Sequence, residues 1–255
     1  MGILEGKVAI VTGGGQGIGE GIVYALCHEG AKVVNVGRTF AKVERVVDNI
    51  RKDGCDAIPV KCDIGKYEEV EAMVKQTIET YGKIDILVNN AMTQRLVSFT
   101  QTTEEDMWEA FQNNVMGTFN CIKAAFPYLK ETKGRIINFG TGAGTEGSAN
   151  MVSYATSKEA VRGMTKSLAV EFGRYGINVN CVVPCGNSPA WEKTKKDYPN
   201  SIDKLLEGYI IRRPDQNLGD PEEDVGGVVV FLASKYSQYM TGRTLFADGG
   251  KSLFR

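Results

Sequence analysis

Short runs of β-branched and other apolar residues recur along the chain, separated by stretches in which apolar positions return every three or four residues. The runs are Val8–Val11, Lys32–Val36, Ala57–Lys61, Ile84–Asn89, Arg135–Phe139, Ile177–Val183 and Thr244–Ala247. Several lack polar–apolar alternation, as strands buried on both faces require. Between them, Phe111, Val115, Phe119, Ile122 and Phe126 form one helical stripe, and Val161, Met164, Leu168 and Phe172 another. Strands alternating with helices predict an α/β fold with a parallel sheet and helices on both faces.

No Pro- or Ser-rich linker, charge block or repeat interrupts this rhythm, so residues 1–255 read as one domain. A single stretch breaks it. Gly186 to Pro214 is polar, holds Pro189 and Pro199, and carries the bulky Trp191, Tyr198 and Tyr209. A long irregular loop in a compact domain is expected to serve as a lid.

Thirty Lys and Arg balance 31 Asp and Glu, a net charge of −1, so no overall field favours nucleic acid or an anionic membrane surface. Six cysteines form no Cys-x-x-Cys pair, and with His28 as the only histidine no metal-ligand cluster is expected. The longest apolar run, Val225 to Ala233, is too short to span a bilayer. These features fit a protein of the reducing cytoplasm. Glycine is overused, 30 of 255 residues, against about 7% in average usage. Six of these glycines lie between Gly13 and Gly21 and five between Gly134 and Gly147.

The first cluster, Thr12-Gly13-Gly14-Gly15-Gln16-Gly17-Ile18-Gly19, follows the first strand and opens a helix whose apolar positions include Ile22, Val23 and Leu26. Glycines in that context let backbone N–H groups approach a pyrophosphate at a helix N-terminus. The spacing is T-G-x-x-x-G-x-G. Together with Asn89-Asn90-Ala91 after the fourth strand, Tyr154-x-x-x-Lys158, and Pro184 at the end of the sixth, it makes the chain resemble the short-chain dehydrogenase/reductase family over essentially its whole length. The resemblance implies a doubly wound Rossmann sheet of seven strands and a nicotinamide dinucleotide held by Gly13, Gly15, Gln16, Gly17, Ile18, Gly19, Asn90, Ala91, Tyr154, Lys158 and Pro184. It also implies a homotetramer.

In a dinucleotide fold, an acid ending the second strand binds the ribose 2′-hydroxyl, whereas arginine accommodates a 2′-phosphate. Here that end reads Val36-Gly37-Arg38, which favours NADP over NAD, with a solvated surface cation as the other reading of Arg38. Gln16 stands where many NADP users place a second basic residue. Asp63 and Ile64 resemble the family's adenine contact; Asp63 as an ordinary helix N-cap is the equal alternative.

Hydride exchange with a carbonyl needs a partner that gives or takes a proton, and a phenol of pKa near 10 is a poor base at neutral pH. Tyr154 and Lys158 lie four apart, on one helix face, so the ammonium, jointly with the positive nicotinamide ring of a bound cofactor, is expected to favour phenolate. In the resembling family, Lys158 would also bind the nicotinamide ribose, Thr141 would replace the catalytic serine, and Asn114 would prop a helix irregularity and hold a relay water. Thr141 as a loop cap and Asn114 as a structural amide are the bland alternatives, and the neighbouring Asn113 leaves the register open. Met92 and Cys185 replace glycines and are expected to line the substrate pocket.

Pro127–Thr132, Ile137–Phe139, Gly142–Gly144 and the segment after Pro184 are similar to bacterial 12α-hydroxysteroid dehydrogenases. That similarity, with Met92, Trp191 and Tyr209, leads us to expect oxidoreduction of a secondary alcohol or ketone on a bulky apolar small molecule. A 3-oxoacyl-acyl-carrier-protein reductase is the alternative, with Lys193, Lys195, Lys196, Arg212 and Arg213 as an acidic partner's dock. A non-catalytic NADP-binding regulator is the remote one.

Overall fold

A computed structural model describes residues 2–252 apart from Arg212, Pro214 and Gln216. Seven strands, β1 (Val8–Thr12), β2 (Lys32–Gly37), β3 (Ala57–Lys61), β4 (Ile86–Asn89), β5 (Arg135–Phe139), β6 (Asn178–Pro184) and β7 (Thr244–Ala247), form one sheet in the order β3-β2-β1-β4-β5-β6-β7. Every pairing is parallel. The sequence-derived fold class is thus the observed one, with strand ends moved by a residue or two. At β4 the shift has a cause: Asp85 is buried, its carboxylate taken by the Val8 N–H and by Lys7 and Lys83, so it anchors the strand entrance.

Strand order reverses direction at β1 and β4, so their C-terminal ends splay apart and leave the crevice in which doubly wound folds bind ligands. Both faces are covered. Helices α1 (Gly17–His28) and α2 (Phe40–Lys52) bury Ile22, Leu26, Val46 and Ile50 against one face. On the other, α3 (Tyr67–Tyr81) and the α5 and α7 helices introduced below bury Met73, Ile122, Leu129 and Phe172.

After α4 (Glu104–Ala110), capped by a reciprocal Thr103–Asp106 pair, the chain makes a π-helical turn, Phe111–Met116, and continues into α5 (Gly117–Thr132). The stripe expected from Phe111 to Phe126 is divided by this geometry. Val115 and Ile122 are buried, whereas Phe111 and Phe119 are exposed, because the extra residue of the π turn breaks the helical register.

A short α6 (Gly142–Glu146) precedes α7 (Val152–Phe172). The stretch 186–214, expected as an irregular loop, instead holds α8 (Pro189–Asp197) and α9 (Ile202–Leu206). Ser188 caps α8 by accepting from the Trp191 N–H, and Pro189 fills its first position, a start signal that needs no apolar period. Ile202, Leu206 and Leu218 form a small core there, with Trp191 and Tyr209 packed on it. Leading into α10 (Gly227–Ala233), a second π turn, Pro221–Gly226, follows. No helix among the described residues is long and apolar enough to cross a membrane.

Candidate active site

Gly13 leaves β1 with φ +72°, and a methyl group at its Cα would come within 2.8 Å of the Ala91 Cα. Only glycine fits both the left-handed backbone and the approach. Asn90 fixes this turn: its Nδ2 donates to the carbonyls of Thr12 at 3.1 Å and Gly13 at 3.2 Å. Thr12 Oγ1 in return accepts from the Asn90 and Ala91 N–H groups, both at 3.1 Å. Asn90 thus acts through the loop's shape. Gln16 occupies the N-cap of α1 but its side chain does not cap the helix, so the first N–H groups of the helix stay free toward the crevice.

The crevice is a groove of about 450 Å³, lined by Gly13, Gly15, Gln16, Gly17, Ile18 and Gly19 on one side. Arg38, Asp63, Ile64, Asn90 and Ala91 line it as well, so these eleven expected residues meet in one cavity. Pro184, Tyr154 and Lys158 are not in its walls; Pro184 closes β6 beside Ala247. Ser188, Pro189 and Ala190 are in the walls instead, and Pro189 Cδ lies 3.2 Å from where a side chain on Gly17 would begin. A groove with bare backbone at a helix N-terminus, closed on the far side by Ser188–Ala190, fits a dinucleotide pyrophosphate.

Asp63 is not a helix N-cap. Its Oδ1 accepts from the Gly65 N–H at 3.1 Å, and α3 begins later, after Lys66. Arg38 is exposed and has no ion-pair partner among the described residues. A second cation that sequence reasoning missed stands nearby: Lys42, in the first turn of α2, donates to Gln16 Oε1 at 2.6 Å and also lines the groove. Its spacing of four from Arg38 was the available signal.

On α7, Tyr154, Ser157, Lys158, Val161 and Thr165 share the buried face at helical spacing. Tyr154 is 8% exposed and Lys158 2%. Thr141 lies at the N-cap of α6, where its Oγ1 accepts from the Ala143 N–H at 3.3 Å. The Thr141 hydroxyl lies close enough to the Tyr154 hydroxyl to favour its phenolate. Thr141 therefore caps and faces the phenol at once. Lys158 Nζ donates to the carbonyl of Phe139, the last residue of β5, at 3.0 Å.

The electrostatics differ from the expectation that the ammonium depresses the phenol. Burial raises the Tyr154 pKa, opposed only by the Thr141 hydroxyl. Burial also brings Lys158 down to about 8, against a small opposing effect of Cys181. A dry pocket disfavours both charged forms.

Register at the two asparagines is settled by burial. Asn114 is fully buried in the π turn; its Oδ1 accepts from the Thr93 N–H at 2.8 Å and its Nδ2 donates to the Thr93 carbonyl at 3.0 Å. Asn113 lies at the groove instead. Met92 and Cys185, expected in one pocket, line different cavities. Met92 lines the groove, whereas Cys185 lines a second chamber of about 420 Å³ with Leu206, Tyr209, Leu218, Val228 and Phe246. Cys185 Sγ and Tyr209 Oη are 2.7 Å apart, and Lys251 Nζ sits 4.5 Å above the Tyr209 ring. Ser252 lines the chamber too, and its Oγ is 3.4 Å from where a side chain on Gly142 would begin, next to Thr141.

Comparison with known proteins agrees with this geometry. The short chain dehydrogenase family profile matches residues 7–198. The chain is 38% identical over 258 residues to a 12α-hydroxysteroid dehydrogenase of a Clostridium species, covering 98% of each. It is 37% identical to an L-fucose dehydrogenase of Oryctolagus cuniculus, covering 97% of this chain and 86% of that one. A 3-oxoacyl-acyl-carrier-protein reductase of Staphylococcus aureus is 34% identical, covering 96% and 97%. The glycine-rich groove, the parallel sheet and these similarities together identify the chain as a member of the short-chain dehydrogenase family, a nicotinamide-dependent oxidoreductase acting on the CH–OH group of small-molecule alcohols or on the corresponding carbonyl.

Proposed function

We propose that the chain is an NADP(H)-dependent oxidoreductase interconverting a secondary alcohol and a ketone on a bulky apolar substrate of hydroxysteroid type. The observation that carries the chemistry is the buried Tyr154, on the helix that bears Lys158, with the Thr141 hydroxyl close to its own. In the reducing direction Thr141 donates a hydrogen bond to the substrate oxygen and Tyr154 Oη gives it a proton. A bound nicotinamide supplies the hydride at the adjoining carbon. Lys158 Nζ is held on the Phe139 carbonyl, one helical turn beyond Tyr154 on the same buried face. Asn114 holds the π turn and Thr93 in place beside this pair.

Support for NADP comes from the end of β2. Gly37 has no carboxylate to repel a phosphate, and an acid there would start 2.9 Å from Val43 Cγ1, a side chain only 1% exposed. Arg38 and Lys42 face the groove from the following turn, and a bidentate guanidinium is well suited to a 2′-phosphate. Support for a bulky substrate comes from the largely apolar chamber beside Gly142 and from the resemblance to a 12α-hydroxysteroid dehydrogenase. The acyl-carrier alternative loses cations to internal partners: Lys195 binds Asn217 and Glu192, and Arg213 pairs with Asp224, while Arg212 lies outside the described residues. We also infer the homotetramer that family resemblance implies, since Trp108, Phe111 and Phe119 are exposed; a monomer in sedimentation would refute it.

The test is reduction of steroid ketones and of acyl β-ketothioesters by the purified chain with NADPH and with NADH, repeated with Cys185→Trp. Steroid reduction with NADPH, lost in the variant while a small cyclic ketone is still reduced, is the expected result. Turnover of the thioester alone would overturn the proposal.

A further inference from the structure

Ser157 stands three residues after Tyr154 and one before Lys158, on the buried face of α7. Its Oγ donates to the Tyr154 carbonyl at 2.8 Å and accepts from Asn114 Nδ2 at 2.9 Å. The other hydrogen of that amide goes to the Thr93 carbonyl, and Asn114 Oδ1 takes the Thr93 N–H. Every donor of both side chains is therefore used. A continuous chain of hydrogen bonds runs from the backbone of Thr93, in the wall of the groove, through the π turn to the backbone of Tyr154.

Asn114 and Thr93 are joined by two bonds, so the loop after β4 and the π turn move together. Asn114–Ser157 is the buried side-chain hydrogen bond that ties this unit to α7, while Gln94 Nε2 meets Met151 Sδ at the helix's exposed N-cap. We propose that Ser157 is a positioning residue for the reaction. Its hydroxyl holds the Asn114 carboxamide in the orientation that sets the groove wall, and hence a bound cofactor, in register with Tyr154. This rests on the role proposed above for Tyr154. Alanine at 157 leaves a fully buried N–H of Asn114 without an acceptor, and an unpaired buried donor costs more than the lost bond was worth. The amide then turns toward another acceptor and carries Thr93 with it. Misplacement of reacting groups by about 1 Å can cost as much as about a hundredfold in rate.

The experiment is a double-mutant cycle with Ser157→Ala and Asn114→Ala, with kcat, the KM for NADPH and thermal midpoints measured for each. Ser157→Ala is expected to lower kcat about tenfold, since only orientation is lost, with the KM for NADPH changed less than about threefold. The double variant is expected to lose no more than the worse single one, since both changes break the same connection. Ser157→Thr, which keeps the hydroxyl, restores kcat. Should Ser157→Ala not fold, Ser157→Cys, similar in size with a weak donor, replaces it. Wild-type kcat in Ser157→Ala with only a lowered midpoint, or losses that multiply in the double variant, overturns the proposal. Tyr154→Phe is measured beside them. Full activity there overturns the proton-transfer role, whereas an inactive Tyr154→Phe with a fully active Ser157→Ala removes the Ser157 inference alone.

Discussion

Lys158 should destabilise the protein that it serves. Burial brings its pKa from 10.5 to about 8, and at about 1.4 kcal/mol for each pH unit the charged form costs the fold about 3 kcal/mol at pH 7. Below pH 8 both folded and unfolded chains carry the proton, and the whole penalty applies. Between about pH 8 and 10.5 the folded chain has released it while the unfolded chain has not, so stability rises with pH in that window. Lys158→Met keeps a similar shape and removes the titrating group, at the loss of the bond to the Phe139 carbonyl. That loss offsets part of the gain, so the pH trend is the cleaner signature. Urea unfolding of both proteins without cofactor should show the stability of Lys158→Met relative to wild type declining by about 1 kcal/mol from about pH 7 to about pH 9. A difference that stays constant or grows across that range would refute the assignment of a desolvated ammonium.

Two further outcomes follow from the site. Replacing Arg38 and Lys42 together by alanine should raise the KM for NADPH by tenfold or more, since each charge-assisted bond to phosphate contributes about 1.5–3 kcal/mol, and leave the KM for NADH nearly unchanged. Equal effects on both cofactors would remove the 2′-phosphate role. Because burial raises the Tyr154 pKa, the phenol is protonated throughout the neutral range. Reduction at saturating NADPH should therefore be flat from about pH 6 to about pH 8, while oxidation, which needs phenolate, climbs up to about tenfold per unit. An oxidation rate independent of pH would contradict this.

All seven strands were legible because a parallel sheet covered on both faces demands continuous apolar runs, and those runs stand out against the charged helices. The glycine cluster after β1 was legible for a related reason: close backbone approach leaves glycine as the residue that fits. Other features were not. Phe111 and Phe119 share a helical stripe with Val115 and Ile122, yet they face outward, because a period of about 3.6 residues does not register the extra residue of the π turn. Charged Lys193, Lys195 and Lys196 hid α8, although Ser188-Pro189 marks its start. Lys42 escaped notice because what makes it relevant is contact with Gln16, 26 residues away. Ser157 was missed as well, although it stands four residues before Val161 on the core face of α7, a position where a hydroxyl needs partners.

Tyr154→Phe separates proton transfer from cofactor binding. The variant keeps the ring that fills the buried site and removes the one oxygen assigned to proton transfer. Its reduction of a steroid ketone by NADPH, followed through the absorbance of the reduced nicotinamide, should fall at least about a hundredfold, with the dissociation constant for NADPH changed by less than about threefold. Turnover near the wild-type rate with intact NADPH binding would contradict the account.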